Sequence, residues 1–385
     1  MDFDLTEDQI MIRNLMKDFA EKEILPKVRD DDRNKRFPKD ILDKMAPLGF
    51  LGAPLPEEYG GLGIDTIAYI LMIEELGRVS FALRSIVSVH VSLFQQTLNR
   101  WGTEEQKRKY LPRTTKGELL GCFATTEPNV GSDISNTETT AVLQGGKWRL
   151  NGNKMWISNG GVADVALIFA QTDKAKKHRG IAAFLVEKGT PGFSSEDIHG
   201  KLGLRAANTA ELILQDCLVP EENLLGQVGE GFKIAMTAFD NARLCVAGGC
   251  VGLAQACIDA SVQYAQNRQQ FGKPIGSYQL VQEIIANMVV ETEAARFLTY
   301  RAAYLKNKGI PNTVETSMAK YYASEVALRA ANNAIQVHGG YGFSDEYPVE
   351  RYYRDVKVAT LLEGTSEMHK LIIGRSATGL SAFTS

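Results

Sequence analysis

Cysteine is scarce in this 385-residue chain: Cys122, Cys217, Cys245, Cys250 and Cys257 make an odd total with no CxxC pair. A chain this long needs no disulfide staples, so the pattern fits a reducing compartment. Charge of one sign is also lacking. The net charge is -3, and the only dense basic cluster is Lys174-Ala175-Lys176-Lys177-His178-Arg179, which reads as a solvated loop between strands. There is thus no electrostatic footprint for nucleic acid. The longest uncharged apolar run, Leu244 to Ala254, is glycine-rich and short, whereas a membrane span needs about 20 apolar residues. The N-terminus, Met1-Asp2-Phe3-Asp4-Leu5, is acidic and enters a helical pattern at once, so no signal or transit peptide is expected. These features predict a soluble, cytoplasmic protein. Walker A and complete GxGxxG sequences, internal repeats and low-complexity stretches are missing as well, which disfavours Rossmann-type dinucleotide binding.

What is present changes period twice. Thr6 with Gln9 makes a capping-box start, and Ile12, Leu15, Met16 and Phe19 keep one apolar face until Pro26, so the first hundred residues read as helices, continuing to about Leu111. From Gly121 the period becomes two: Trp148 and Leu150 alternate with Lys147, Arg149 and Asn151, and short apolar runs follow at 165–170, 181–186 and 212–214. Gly, Pro and Asp punctuate them, as in a small β domain. Past Gly231 the helical period returns, with Ile284, Ile285, Met288, Val289, Thr292 and Ala295 marking one long helix and 317–337 another. The fold class is therefore α+β and multidomain, with expected boundaries at 1–117, 118–229 and 230–385. At this length two or three cores are expected.

The chemistry concentrates at Leu361-Leu362-Glu363-Gly364-Thr365-Ser366-Glu367. Two leucines before Glu363 suggest a partly dry carboxylate, and Gly364 lets the backbone approach a flat cofactor. A carboxylate that removes a proton beside a carbonyl near neutral pH needs a raised pKa, and desolvation raises it. The plainer alternative makes Glu363, or Glu367, a helix N-terminal acid. Other segments carry two readings as well. Phe123-Ala124-Thr125-Thr126-Glu127-Pro128-Asn129-Val130-Gly131-Ser132-Asp133 suits a loop lining a planar ligand, or a turn capped by Asp133. Within Lys154-Met155-Trp156-Ile157-Ser158-Asn159-Gly160, Trp156-Ile157-Ser158 follows a strand and offers an indole and a hydroxyl, or a core tryptophan. Arg268-Gln269-Gln270-Phe271-Gly272-Lys273-Pro274 ends a helix, and the fork of Arg268 suits a pyrophosphate. Gly339 and Gly340 of Gln336-Val337-His338-Gly339-Gly340 serve equally as a C-cap. Asp240 and Arg243 in Phe239-Asp240-Asn241-Ala242-Arg243 read otherwise as a surface pair one turn apart.

Taken together, in this order and at about this spacing, the segments resemble the acyl-CoA dehydrogenase family over essentially the whole chain. The resemblance implies a central β-barrel-like domain, a C-terminal four-helix bundle and a homotetramer binding FAD and an acyl-CoA. By the same resemblance, Phe123, Thr125, Thr126, Gly131, Ser132, Trp156, Ile157 and Ser158 contact the cofactor, with Ser132 also near the CoA moiety. Arg268, Gln336, Val337, Gly339 and Gly340 reach the dinucleotide of a neighbouring subunit, and Gln270, Phe271, Gln279, Thr365 and Glu367 also bind the cofactor. Asp240, Arg243 and Gly364 approach the substrate, and Glu363 is the base that yields a trans-2-enoyl thioester. With no second redox centre and no NAD motif, an electron-transferring flavoprotein is the expected acceptor. A catalytically silent assembly or scaffold member is the remote alternative.

Arg84 is the clue to substrate. It is the one fully charged residue between Ser80 and Gln96, on a stripe with Ser88 and Ser92, and no acid in its helix can pair with it. Its partner is a distant acid or a ligand carboxylate. The glutaryl-CoA dehydrogenase subgroup resembles this chain in an Arg-Ser here that holds a distal carboxylate. Its decarboxylating members carry an acid seven positions earlier and a tyrosine before the base, where this chain has Gly77 and Leu362. One reading is therefore glutaryl-CoA oxidised to glutaconyl-CoA without loss of CO2, with Arg84 and Ser88 binding substrate. The other is an alicyclic acyl-CoA such as cyclohexanecarboxyl-CoA, or a short or branched one, with Arg84 structural.

Overall fold

The computed structural model describes residues 4–382. Met1, Asp2 and Phe3 of the expected acidic start lie outside them. The capping box forms as the sequence predicts: the Thr6 hydroxyl accepts from Gln9 N at 3.3 Å and the Thr6 amide donates to the Gln9 side chain at 3.0 Å. It starts α1 (Glu7–Phe19) of a helical region that continues through α2 (Val28–Asn34), α3 (Lys39–Met45), α4 (Thr66–Val79), α5 (Phe81–Ser88), α6 (Gln96–Trp101) and α7 (Glu104–Thr115). Between α5 and α6, Val89–Gln95 forms a π-helix.

The middle of the chain is one eight-stranded sheet: β1 (Gly121–Ala124), β2 (Thr140–Gln144), β3 (Lys147–Ser158), β4 (Val165–Gln171), β5 (Ile181–Glu187), β6 (Phe193–Asp197), β7 (Thr209–Pro220) and β8 (Leu224–Leu225). The strand order is β6-β7-β3-β2-β4-β5-β8, with β1 added in parallel to β4. The buried β4 and most of β5 read as continuous apolar runs because both faces are covered, one by the helices and one by the sheet's own core.

The C-terminal helices are α8 (Gly231–Asn267), α9 (Gln279–Asn307), α10 (Thr313–His338), α11 (Val349–Val356) and α12 (Ser366–Thr378). The short apolar run at 244–254 is the middle of α8. By length and composition this helix could cross a membrane, but 78% of its apolar window is buried inside the protein. Its glycines explain how. A Cβ on Gly252 would lie 1.9 Å from the Glu74 carbonyl oxygen, and one on Gly77 would lie 2.5 Å from that of Gly249, so α4 and α8 touch backbone to backbone. In α9 the predicted stripe is shallower than expected, since Met288, Thr292 and Ala295 are buried whereas Val289 is exposed. All five cysteines are free and buried.

Candidate active site

Glu363 sits in the turn between α11 and α12, and it adopts a left-handed backbone (φ 55°), followed by Gly364 (φ 97°). The helix-start role belongs to its neighbours instead: Thr365 caps α12 by accepting from Met368 N at 3.3 Å, and exposed Glu367 lies in its first turn. The dryness expected from the two leucines has a different source, because Leu361 is 55% exposed and Leu362 turns into the helical core. Burial beneath the packed helices pushes the Glu363 carboxyl up to about 7, against the opposing pull of Arg243, Lys320 and Arg84. Three cations therefore surround a carboxyl that the tertiary packing dries. Arg243 Nε donates to the Glu363 carbonyl oxygen at 3.0 Å and Nη1 meets Asp240 at 3.2 Å. Arg243 is buried, so the pair is no surface ornament.

Arg84 is 1% exposed. Its guanidinium carbon lies 4.0 Å from the Phe81 ring centroid, Nε and Nη2 have no hydrogen-bond partner, and no acid among the described residues is within ion-pair distance. Burial holds its pKa below the usual arginine value, with Cys250, Cys245, Glu363 and Tyr69 the groups whose charge opposes that. The slot exists because Gly249 has no side chain: a Cβ there would lie 2.7 Å from Arg84 Cδ. Ser88 is buried one turn on, and Ser92, in the π-helix, bonds to Tyr69 Oη at 3.0 Å and Cys245 Sγ at 2.9 Å, two groups whose charge also acts on Arg84.

The Trp156 segment does not follow β3; it forms the strand's last turn of register. A bulge between Lys154 and Ile157, with Trp156 at φ 62°, reverses the alternation. Trp156 consequently points out, 60% exposed, and Ile157 is buried at 3%. Thr126 and Ser158, both half-buried, lie on the same edge, tied by Met155 N donating to Thr126 O at 2.9 Å. Gly131 and Ser132 are exposed, and a Cβ on Gly131 would meet nothing within 4 Å. Phe123 packs against Phe169 (4.9 Å) and Phe239 (5.8 Å), and Thr125 is buried, so Phe123 and Ile157 have only main chain to offer a ligand. An exposed indole, two hydroxyls and an open glycine loop on one rigid edge fit a flavin ring.

Sequence reading missed the pair that fixes this loop. Lys154 and Glu127 are both fully buried, 2.7 Å apart; Glu127 also accepts from Thr139 N at 2.9 Å, and Lys154 donates to Thr125 O at 3.3 Å. The available signal was parity, since Lys154 falls on the same inward face of β3 as Trp148 and Leu150.

A second cluster lies at one end of the helical bundle. Arg268 caps α8 with its guanidinium 5.6 Å from the Tyr341 ring, and Gln270, Phe271, Gln279, Gln336, Gly339 and Gly340 are exposed around it. Val337 instead turns inward against Tyr264. Among the described residues no hydrogen bond or ion pair joins this cluster to the Thr126–Ser158 edge.

A buried, uplifted carboxyl and an edge of an indole, hydroxyls and an open glycine loop are compatible with flavin chemistry, and comparison with known proteins defines the class. Models of the acyl-CoA dehydrogenase N-terminal, middle and C-terminal domains match residues 6–118, 122–217 and 229–378. The chain is 44% identical over 373 residues to the short-chain specific acyl-CoA dehydrogenase of Clostridium acetobutylicum, covering 97% of this chain and 98% of that one. It superposes with TM-score 0.97 and 45% identity on a chain from a structure of the electron transferring flavoprotein of Acidaminococcus fermentans, covering 98% and 100%. It also matches a Mycobacterium smegmatis glutaryl-CoA dehydrogenase in complex with FADH2, with TM-score 0.95, 36% identity and coverage of 99% and 97%. The chain belongs to the acyl-CoA dehydrogenase family. It is thus an FAD-dependent oxidoreductase whose substrates are acyl-CoA thioesters.

Proposed function

We propose that the protein oxidises a short acyl-CoA to its trans-2-enoyl-CoA, with Glu363 as the base that takes the proton from the carbon next to the thioester. The observation that carries this is the half-buried Glu363 carboxyl, raised to about 7 yet free of any side-chain ion pair among the described residues. Bound FAD supplies the hydride acceptor. The Glu363 main-chain N–H polarises the thioester oxygen, as preorganised donors do at a developing oxyanion. Thr126, Trp156, Ser158 and Ser132 would hold the flavin and the adjoining CoA, with Asp240 and Arg243 beside the substrate. Anaerobic bleaching of the flavin by butyryl-CoA tests the reading, and a catalytically silent protein would not bleach with any acyl-CoA.

Similarity to short-chain specific and butyryl-CoA dehydrogenases supports a short acyl-CoA such as butyryl-CoA as substrate and takes precedence over the glutaryl reading. A second reading stands on one observation, the buried Arg84 without an acid. A distal substrate carboxylate would relieve that isolation, as in glutaryl-CoA, and likeness to a glutaryl-CoA dehydrogenase supports it. Bleaching by glutaryl-, butyryl-, isobutyryl- and cyclohexanecarboxyl-CoA in parallel separates the readings.

The same proposal takes an electron-transferring flavoprotein as acceptor, supported by the Acidaminococcus fermentans likeness. It assigns three domains at 1–117, 118–229 and 230–385 in a cytoplasmic homotetramer. Exposed Phe271 (94%), Leu280 (73%) and Val290 (69%) support assembly through the bundle, which would carry the Arg268 and Gln336 turns to another subunit's dinucleotide. Sedimentation and reduction of the flavoprotein by the acyl-CoA-loaded enzyme test these parts.

A further inference from the structure

The turn that carries Glu363 is held from behind by a residue outside the motifs. Lys320, on α10, is 0% exposed, and its Nζ donates to the Gly364 carbonyl oxygen at 2.7 Å. Arg243 binds the preceding carbonyl, that of Glu363. Two consecutive left-handed residues thus have their carbonyl oxygens gripped by two buried cations from two helices. A glutamate keeps a positive φ only where its surroundings impose it. Further along α10, Glu325 accepts from the Ser366 hydroxyl at 2.6 Å, so this helix fixes the turn on both sides of Thr365.

The two cations differ in how much charge they leave for the carboxylate. Arg243 shares its charge with Asp240 at 3.2 Å. Lys320 has no acid within ion-pair distance among the described residues, which is costly for a buried ammonium unless another negative group faces it. Burial pulls its pKa down to about 8, opposed by Cys250, Glu363 and Glu325 and assisted by Arg243. His369, on α12, completes the surroundings. It is fully buried with both ring nitrogens unpartnered, and Nε2 would lie 3.3 Å from a Cβ on Gly364. Burial, with Lys320 and Arg243, holds its pKa at about 3, so it stays neutral. Glu363 therefore faces Arg84 from α5, Arg243 from α8 and Lys320 from α10.

We propose that Lys320 is a positioning residue for proton abstraction: its bond to the Gly364 carbonyl fixes the left-handed turn that presents Glu363, and its unshared charge favours the carboxylate form of that base. The inference rests on Glu363 being the base. The experiment is the pH dependence of flavin reduction by butyryl-CoA in FAD-loaded Lys320→Met and Lys320→Gln, with Lys320→Arg as the charge-retaining control. Removing one of three cations raises the pKa of the base, so the acid limb moves to higher pH by about half a unit or more in both neutral variants. At neutral pH Lys320→Met slows reduction about 100-fold, the scale of a misplaced reacting group. Lys320→Gln keeps a donor for Gly364 and slows it less, while Lys320→Arg leaves the limb in place. If Lys320→Met fails to retain FAD, Lys320→Gln decides the question. A slower rate with an unmoved limb overturns the proposal. Glu363→Gln is measured in parallel: if it stays active, the base assignment fails, whereas a dead Glu363→Gln with an unmoved Lys320 limb refutes the clamp alone.

Discussion

Arg243 donates to the main-chain oxygen of Glu363 at 3.0 Å and not to its carboxylate. The contact fixes where the acid stands without consuming its charge. A direct Arg–Glu ion pair would lower the pKa by a unit or more and leave a poor base, whereas here burial outweighs the cations and the carboxyl rises to about 7.

The first prediction concerns the base itself. Glu363→Gln keeps the shape of the turn and its carbonyl contacts but cannot accept a proton, so flavin reduction should slow by about 100- to 10,000-fold with FAD retained. Rapid-mixing spectroscopy measures it, and a rate within a few-fold of the parent would place the base elsewhere.

A pH profile provides the second. As the proposed base Glu363 acts as carboxylate, so protonation below its pKa of about 7 should remove activity. The acid limb of kcat/KM should accordingly break near neutrality; a rate flat down to the ordinary glutamate range would contradict the burial.

Arg84 gives the third. If a substrate carboxylate reaches it, Arg84→Met should weaken kcat/KM for glutaryl-CoA by about 2 to 5 kcal/mol, the cost of breaking a desolvated charge pair. The value for butyryl-CoA should change little or rise, because the pocket becomes apolar. Equal losses for both substrates would make Arg84 structural. With Gly77 and Leu362 in place, any glutaryl-CoA turned over should accumulate as glutaconyl-CoA; crotonyl-CoA with CO2 would refute that.

The fourth is a stability test at the loop proposed to hold the flavin. Lys154→Met strands Glu127 in the sheet core without its 2.7 Å partner, which should destabilise the protein by about 3 to 5 kcal/mol. Denaturant titration checks the loss, and FAD should dissociate more readily because the Thr125 carbonyl beside Thr126 loses its Lys154 contact.

The fifth tests the helix crossing. Gly77→Ala places a Cβ 2.5 Å from the Gly249 carbonyl oxygen, so α4 and α8 must part, at about 1 to 3 kcal/mol for overpacking. The melting temperature reports it. The same crowding explains why an acid cannot occupy position 77 in this backbone.

Much was legible in the sequence because it is encoded locally. The α, β, α order follows from hydrophobic period, the Thr6–Gln9 capping box from four consecutive residues, and the lack of a partner for Arg84 within its own helix from the residues around it, whereas the lack of a distant acid among the described residues is a tertiary fact. Other features depend on which residues meet. Leu361 and Leu362 do not dry Glu363; α5, α8 and α10 do, and they bring Arg84, Arg243 and Lys320 with them. Arg243 is 120 residues from Glu363, and Lys320 is 44 from Gly364. Likewise a bulge, not the alternation of β3, turns Trp156 out and Ile157 in. Period and capping are properties of neighbouring residues and so belong to the sequence, whereas desolvation and Coulomb energy sum over neighbours in space, and only tertiary packing chooses those.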